Sequence, residues 1–410
     1  MRVLVSGASI AGPVLAYWLA RHGFDVTVVE RAPSLRKAGG HAVDLFRPAM
    51  EISEKMGVLP RIEARATGTT RLTMYREGHA APTDIDLTKI IGAASDRHVE
   101  IMRDDLGEIY YSASRDDAEY VFGDSITGID IDGEVTFEHA PARRFDVIVG
   151  ADGLHSNVRR LTFGDESGMT RFLGGYLAVV STPKALADGP AMVGYVGVGR
   201  VAAIYTAAHL DDARAVFLFR SGDELDYDHR DTVRQKALLH EAFAGMDATV
   251  DRWLEEIDRT PAFYFDAITQ LRLDRWSRRR VTLVGDAAYC PGPAVGGSTS
   301  LAVLGAYVLA GELARAGGDH LAAFAAYELA MREPVHLSRG FARNAARTII
   351  PGSRAGVWAL TRGAALVSRM PAPLSRGLAR MNAKGVRMHD SMHVPDYDAI
   401  DAQALKSRED

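Results

Sequence analysis

Cysteine is almost missing from this chain. Cys290 is the only one in 410 residues, so no internal disulfide can form and no dithiol chemistry is available. Excess positive charge is missing as well. The formal net charge of −5 excludes a generic nucleic-acid binder, which needs a basic surface. Long apolar runs are absent too. Val3 to Ala20 is uncharged, but Gly7 and Gly12 interrupt it and Asp25-Val-Thr-Val-Val-Glu30 follows at once, unlike an export signal. Ala287 to Gly311 is also uncharged, yet only Leu301 to Ala310 is solidly apolar, well short of the ~20 residues of a membrane span. No internal repeat or low-complexity linker occurs. What remains is 47% hydrophobic and 25% charged, the balance of a globular protein long enough for two closely packed domains. The missing disulfides fit a reducing, cytoplasmic setting.

Against that background three glycine-and-aspartate signatures stand at separated points. The first is Gly7-Ala8-Ser9-Ile10-Ala11-Gly12, between a strand-like Arg2–Ser6 and a helix-like Pro13–His22. Gly7 permits the tight turn, and Gly12 lets the helix pack closely on the sheet. Ser9 replaces the usual middle glycine, small enough for a pyrophosphate to approach. The helix start near Ala11 supplies amide donors and a positive dipole. Glu30 follows eighteen residues past Gly12, near the ~20 expected for a carboxylate on ribose hydroxyls. The second signature is Asp146-Val-Ile-Val-Gly150-Ala-Asp152-Gly153. The third is Val281-Thr-Leu-Val-Gly285-Asp286-Ala-Ala288. There a strand ends, the chain turns on Gly285, and Asp286 can accept hydrogen bonds from a ribityl chain. The loop Pro291-Gly-Pro293-Ala294-Val-Gly296-Gly297-Ser298-Thr299 then leads into a helix beginning near Ser298. That helix start would aim amides at an isoalloxazine ring, and Ser298 or Thr299 can cap it. One extended dinucleotide held at three places points to FAD.

The pattern along the chain predicts an α/β fold: a Rossmann-like FAD-binding domain interleaved with a β-sheet substrate domain, plus a helical C-terminal extension. Residues 1–71, 101–171 and 269–345 form the nucleotide domain. Residues 72–100 and 172–268 form the second domain, 346–388 the extension and 389–410 a tail. Glu119 to Phe137 reads as a hairpin turning at Asp132-Gly133. Residues 332–387 hold eleven Arg or Lys and one acid, Glu333, a local +10 against the rest of the chain. Arg339, Arg343 and Arg347 lie four apart, and Arg354, Arg362, Arg369, Arg376 and Arg380 continue the series, with Pro351 and Pro371 as breaks. This is either a solvated or body-docked face, or a surface for an anionic partner or membrane.

The three signatures, with Arg103-Asp-Asp-Leu106 between them, resemble the FAD-dependent aromatic hydroxylases, the para-hydroxybenzoate hydroxylase-like monooxygenases. Gly39-Gly-His-Ala-Val-Asp44-Leu and the helical extension look most similar to tetracycline-inactivating and polyketide-tailoring members. The resemblance implies that Glu30 holds the adenosine ribose with Arg31 near the adenine. It implies that Arg103 contacts the ribityl–phosphate region, that Asp286 contacts the ribityl hydroxyls, and that Asp44 and Pro293 lie beside the flavin ring. It links Asp152 to FAD and to a reduced nicotinamide, NADPH or NADH, that binds only transiently, in keeping with the lack of a second glycine-rich motif. The family chemistry is hydride transfer to the flavin, addition of O₂ at C4a to form a hydroperoxide, and oxygen transfer to an aromatic or polycyclic small molecule. Two departures are Tyr289, where His is common, and Gly297-Ser298, where Gln-Gly is frequent.

For the substrate pocket Pro293 and Ala294 are candidates, with Tyr195, Phe217 and Phe219 from the β-rich domain, although alternation alone suits a core equally well. Cys290 reads as a packed structural thiol, and His41 and His209 as surface or core residues. No metal, nucleic acid or membrane span is expected, and either a monomer or a homodimer fits. Baeyer–Villiger insertion beside a ketone, a flavin reductase, or a silent flavin-binding protein remain open alternatives. Halogenation does not fit, because Trp18, Trp253, Trp276 and Trp358 are all far apart where a Trp-x-Trp pair is needed.

Overall fold

The computed structural model describes residues 1–35, 40–95, 97–164, 168–187, 189, 191–228, 231–260, 262–293, 297–370 and 390–397. Gly39, Ala294, Gly296, Pro371, Arg376 and Arg380 lie outside the described residues.

Two sheets organise the chain. In the first, strand order is 277–278, 281–283, 147–150, 2–6, 25–30, 119–122. The strands from 281–283 to 119–122 are mutually parallel, with registers such as Val3↔Val147 and Arg2↔Asp25. Their residues are apolar on both faces, as a sheet covered on both sides requires: Val3, Leu4, Val5, Val147, Ile148 and Val149 are fully buried. Parallel pairing has a direct consequence. Ser6, Glu30, Gly150 and Leu283 end their strands at the same edge, where α/β sheets form their ligand crevice.

The second sheet runs 263–271, 170–183, 212–220, 200–205, 192–197, 71–76, 83–86. Its period-two alternation sends Tyr176, Tyr195, Phe217, Phe219 and Phe265 to one face, under helices Thr232–Phe243 and Ala248–Glu255. The opposite face presents Leu173, Leu218 and Ile268 to Ala342, Ala346 and Ile350 at the end of helix His320–Ile349. Strands 42–46 and 98–102 pair separately between the sheets.

The chain alternates between the two sheets, but composition misses where it crosses. Thr170–Pro183 and Phe263–Leu271 are single strands paired from Thr170↔Leu271 onward, so borders set at 171 and 269 fall inside continuous ladders. The Glu119–Phe137 hairpin also divides. Glu119–Phe122 joins the parallel sheet beside Asp25–Glu30, and only 126–129 and 134–137 form the hairpin. Its turn is fixed by Asp130 Oδ1, which accepts from the amides of Asp132 at 2.8 Å and Glu134 at 2.7 Å.

Helix Ser298–Arg315 is buried on nearly every side, between helix Ala11–Arg21 and helix His320–Ile349. Pro334 lies inside the latter without ending it, whereas the break before Arg354–Arg369 comes at Pro351. Arg343, Arg347, Arg354, Arg362 and Arg369 are exposed and Arg339 is half-buried. Of the segment read as a tail, residues 390–397 return to the core: Tyr397 is 1% exposed, packs on Tyr307, and donates to Glu312 at 2.6 Å. No helix among the described residues is long and apolar enough to cross a membrane.

Candidate active site

The three signatures converge at the carboxyl edge of the parallel sheet. Gly7 has φ +108°, and a Cβ there would sit 2.6 Å from the Ala151 carbonyl oxygen. A Cβ on Gly12 would fall 1.9 Å from the Gly7 carbonyl oxygen, so only glycine allows this close return of helix onto turn. Gly285, at φ +67°, packs beside Ala11 and Ala302, which brings the third signature against the first.

Glu30 folds back onto the turn. Its carboxylate accepts from Ala8 N at 2.9 Å and Ala32 N at 2.8 Å. Arg31 lines the same cleft, a cavity of about 230 Å³ that also touches Ser9, Arg103, Asp152, His155 and Asn157. Ser9 accepts from Arg103 Nη2 at 3.2 Å, a tie that a middle glycine could not make. Asp152 is engaged by its own loop, accepting from Ser156 Oγ at 2.5 Å and Val158 N at 3.0 Å, and burial raises its carboxyl. Asp286 is half-buried, and desolvation raises its carboxyl, a rise that the Arg103 guanidinium partly offsets. Arg103 therefore serves both the first signature and the third.

Asp44 lies on the strand Ala42–Phe46, held from below. His98 Nε2 is 2.7 Å from Asp44 Oδ1, and Ser300 Oγ donates to the Asp44 carbonyl at 3.4 Å and accepts from Phe46 N at 2.9 Å. Burial alone would lower His98, but the hydrogen bond and charge of Asp44, with Glu100 behind it, raise it. Burial raises Glu100, and Asp44 adds to the rise. His41 is the reverse case: burial and then the nearby Arg103 lower it to about 4, so its imidazole is neutral near pH 7. His209 meets Asp105 at 2.8 Å away from these groups. Burial raises the Cys290 thiol well above its ordinary value, consistent with a packed, unreactive residue.

Pro293 is half-buried at the end of the described loop. Helix Ser298–Arg315 starts with Gly297 in the left-handed region at φ +85° and with no side-chain cap. The expected capping by Ser298 or Thr299 does not occur, because both already lie within the first turn. The pattern of caps is informative. Helices beginning at Asn157, Thr232, Ala248, His320 and Arg354 all have a side chain accepting from their first-turn amides. Those beginning at Ala11, Arg47, Leu59, Arg103 and Ser298 do not, and of these Arg47 and Leu59 have a proline in the first turn. The starts at Ala11, Arg103 and Ser298 carry signature residues, and their open amides suit the phosphates and ring of an anionic dinucleotide. With Glu30 for ribose and Asp286 for a ribityl chain, the residues present fit FAD.

Tyr195, Phe217 and Phe219 are elsewhere. At 8%, 0% and 7% exposed they pack on Trp253 and Phe243 beneath the two covering helices, on the face that alternation could not choose. They are core residues, not a pocket wall. Tyr205, Arg214 and Tyr264, from the opposite face, meet the nucleotide-binding part instead. Tyr205 accepts from Ala42 N at 2.7 Å, Arg214 Nε donates to Gly40 O at 3.0 Å, and the Tyr264 ring lies 6.1 Å from His41. Tyr205 and Arg214 alternate with the core residues Ile204, Ala213 and Ala215, so sequence marks the two faces without saying which meets the cofactor. Tyr289 replaces the common His by packing on Trp276 and accepting from Tyr327 at 3.3 Å, opposite the space left by Gly305.

Residues 1–320 match the family model described as an FAD-binding domain. The chain belongs to that family. It is 34% identical over 344 residues to a flavin-dependent monooxygenase of Legionella longbeachae, covering 83% of this chain and 87% of the relative. An uncharacterized protein of Mycobacterium tuberculosis is 44% identical over 329 residues, covering 79% and 88%. The crystal structure of the tetracycline destructase Tet(55) superposes with a TM-score of 0.80 at 30% identity, covering 96% of this chain and 98% of that one. The chain is thus a flavoprotein of the flavin-dependent monooxygenase type.

Proposed function

We propose that this flavoprotein takes two electrons from NADPH or NADH and uses O₂ to hydroxylate an aromatic or polycyclic small molecule of the polyketide or tetracycline kind. The observation that carries the reading is one cleft lined by the glycine turn after strand 2–6, by Glu30, by Asp152 and by Arg103, with Arg103 also acting on Asp286 of the third signature. Likeness to enzymes named as tetracycline destructases and flavin-dependent monooxygenases supports the substrate class.

FAD, when bound, supplies the redox and oxygen chemistry that no side chain here can perform. The chain's own residues hold and orient. Glu30 would accept from ribose hydroxyls, the amides at the start of helix Ala11–Arg21 would take the pyrophosphate, and Arg103 would neutralise it. Asp286 would accept from the ribityl chain. The open amides at Ser298 would favour negative charge on the ring, and Asp44, fixed by His98, would flank it. Tyr205, Arg214 and Tyr264, which meet residues 40–42 from the second sheet, would help to limit water at the ring.

The test is direct. FAD-loaded protein is reduced anaerobically with NADPH or NADH, then mixed with O₂ and a panel of polycyclic phenols. The expected result is bleaching of the flavin, substrate-stimulated O₂ uptake, and a product heavier by one oxygen atom. A flavin that stays oxidised with both reductants would overturn the reading.

A further inference from the structure

Strand Phe263–Leu271 forms the edge of the second sheet, and its alternation divides it. Phe265 and Ala267 enter the helix-covered core, while Tyr264 and Asp266 share the other face. There the Tyr264 hydroxyl donates to Asp266 Oδ2 at 3.3 Å, and the same oxygen lies 2.9 Å from His155 Nε2. The Asp266 side chain is 10% exposed and that of His155 50% exposed, so the chain of groups runs from interior to surface. Its inner end faces His41, Arg103, Asp286 and Cys290 on the nucleotide-binding side. At its outer end Asp266 and His155 line a second cavity of about 430 Å³, walled by Arg159, Thr170 and the acidic stretch Glu224 to Asp228. His155 also lines the nucleotide cleft, so the trio spans the partition between the two spaces.

We propose that Tyr264, Asp266 and His155 form a proton path from the outer cavity into the flavin chamber. The inference rests on the function proposed above, because that reaction needs the path. NAD(P)H, O₂, one proton and a substrate C–H yield NAD(P)⁺, water and C–OH. Two electrons from the nicotinamide and two from the C–H bond reduce O₂, one oxygen leaving as water and one entering the new hydroxyl. Without substrate, NAD(P)H, O₂ and one proton give NAD(P)⁺ and H₂O₂. Either way one solvent proton must enter a chamber that excludes bulk water.

The transfer is a relay of hydrogen bonds. His155 takes a proton from water on Nδ1 and releases the one on Nε2 to Asp266 Oδ2. That oxygen passes it to the Tyr264 hydroxyl as the hydroxyl releases its own proton to an acceptor in the chamber. His155 is recharged by water in the outer cavity, where Glu224, Asp226 and Asp228 attract protons. Tyr176 and Tyr227, packed on Phe265, feel the Asp266 charge, and burial holds the Tyr264 phenol neutral, as a relay member must be. Arg159 is fixed apart from the path by the carbonyls of Ala287 and Leu154, at 3.0 and 2.6 Å.

The experiment uses the full chain loaded with FAD, NADPH or NADH as reductant, and O₂ with no further substrate. Reoxidation is followed by stopped flow in H₂O and D₂O, with a pH indicator reporting proton uptake, for wild type, Tyr264→Phe, Asp266→Asn and His155→Ala. Each variant is expected to slow the solvent-isotope-sensitive step by about tenfold or more, and imidazole should restore His155→Ala alone. Histidine ring NMR is a readout independent of turnover: the titration of His155 should move to lower pH in Asp266→Asn. Tyr264→Phe removes a single oxygen atom and carries the test by itself if Asp266→Asn does not load FAD. Unchanged rate and isotope effect in Tyr264→Phe, or His155→Ala slowed without imidazole rescue, would overturn the path and leave the monooxygenase reading intact. Wild-type protein that neither NADPH nor NADH reduces would remove both.

Discussion

Glu30 carries two tasks with one carboxylate. It ties Ala8 N and Ala32 N, so it shapes the turn, and in the proposed binding mode it would also offer acceptors to ribose. Glu30→Ala should therefore weaken FAD binding by at least tenfold, since each hydrogen bond to a charged group contributes about 1.5–3 kcal/mol, as fluorescence titration would read. His41 makes a pH prediction. Its folded value near 4 lies below the ordinary 6.5, so the unfolded chain binds the proton first as pH falls. Stability should decline from about pH 6.5 toward pH 4. In FAD-free protein, His41→Gln should lose less Tm than wild type between pH 7.5 and 5, by roughly 2 °C in thermal melts. Glu30 was legible because its distance from Gly12 has a known meaning. His41 and Tyr264 were not, because a lone His or Tyr gives no sign in sequence of the charge it will face.

Packing between helices explains why one family departure is tolerated. Tyr289 sits where a Cβ on residue 305 would approach within 1.8 Å of its hydroxyl, so Gly305 is the counterpart of that tyrosine. Gly305→Ala should destabilise the protein by about 1–3 kcal/mol through overpacking. Adding Tyr289→Phe removes the clashing oxygen, and a double-mutant cycle in urea should show a favourable coupling of about 0.5–3 kcal/mol. A coupling indistinguishable from zero would mean that the two residues do not share this space. The helices themselves were readable from their apolar period and breakers, including the stop at Pro351. The capping of Ser298–Arg315 was not: Ser298 and Thr299 both suit an N-cap, and only the left-handed backbone at Gly297 moved the cap one residue earlier.

In the proposed binding mode FAD would touch residues from three distant parts of the chain, which would make it a brace between them. FAD at a hundred times its Kd should stabilise the fold by about 2.7 kcal/mol and raise Tm by several degrees. Riboflavin, which cannot reach Glu30 or the first glycine turn, should give less than half that rise. An equal rise would mean that the adenosine end contributes nothing. The local signals that survive in sequence are those set by covalent geometry: glycines where a Cβ cannot fit, aspartates at strand ends, and the alternation of period two. These established the nucleotide-binding crossover, the three signatures and the presence of a second sheet. Which face of that sheet meets the nucleotide-binding part was settled by packing, since Phe217 and Leu218 are equally apolar and only the helices Thr232–Phe243 and Ala248–Glu255 select between them. The same holds for Tyr264, Asp266 and His155, which are separated by 111 residues at their far link. Contacts across such distances depend on how two sheets are laid together, and no local pattern in the chain records that.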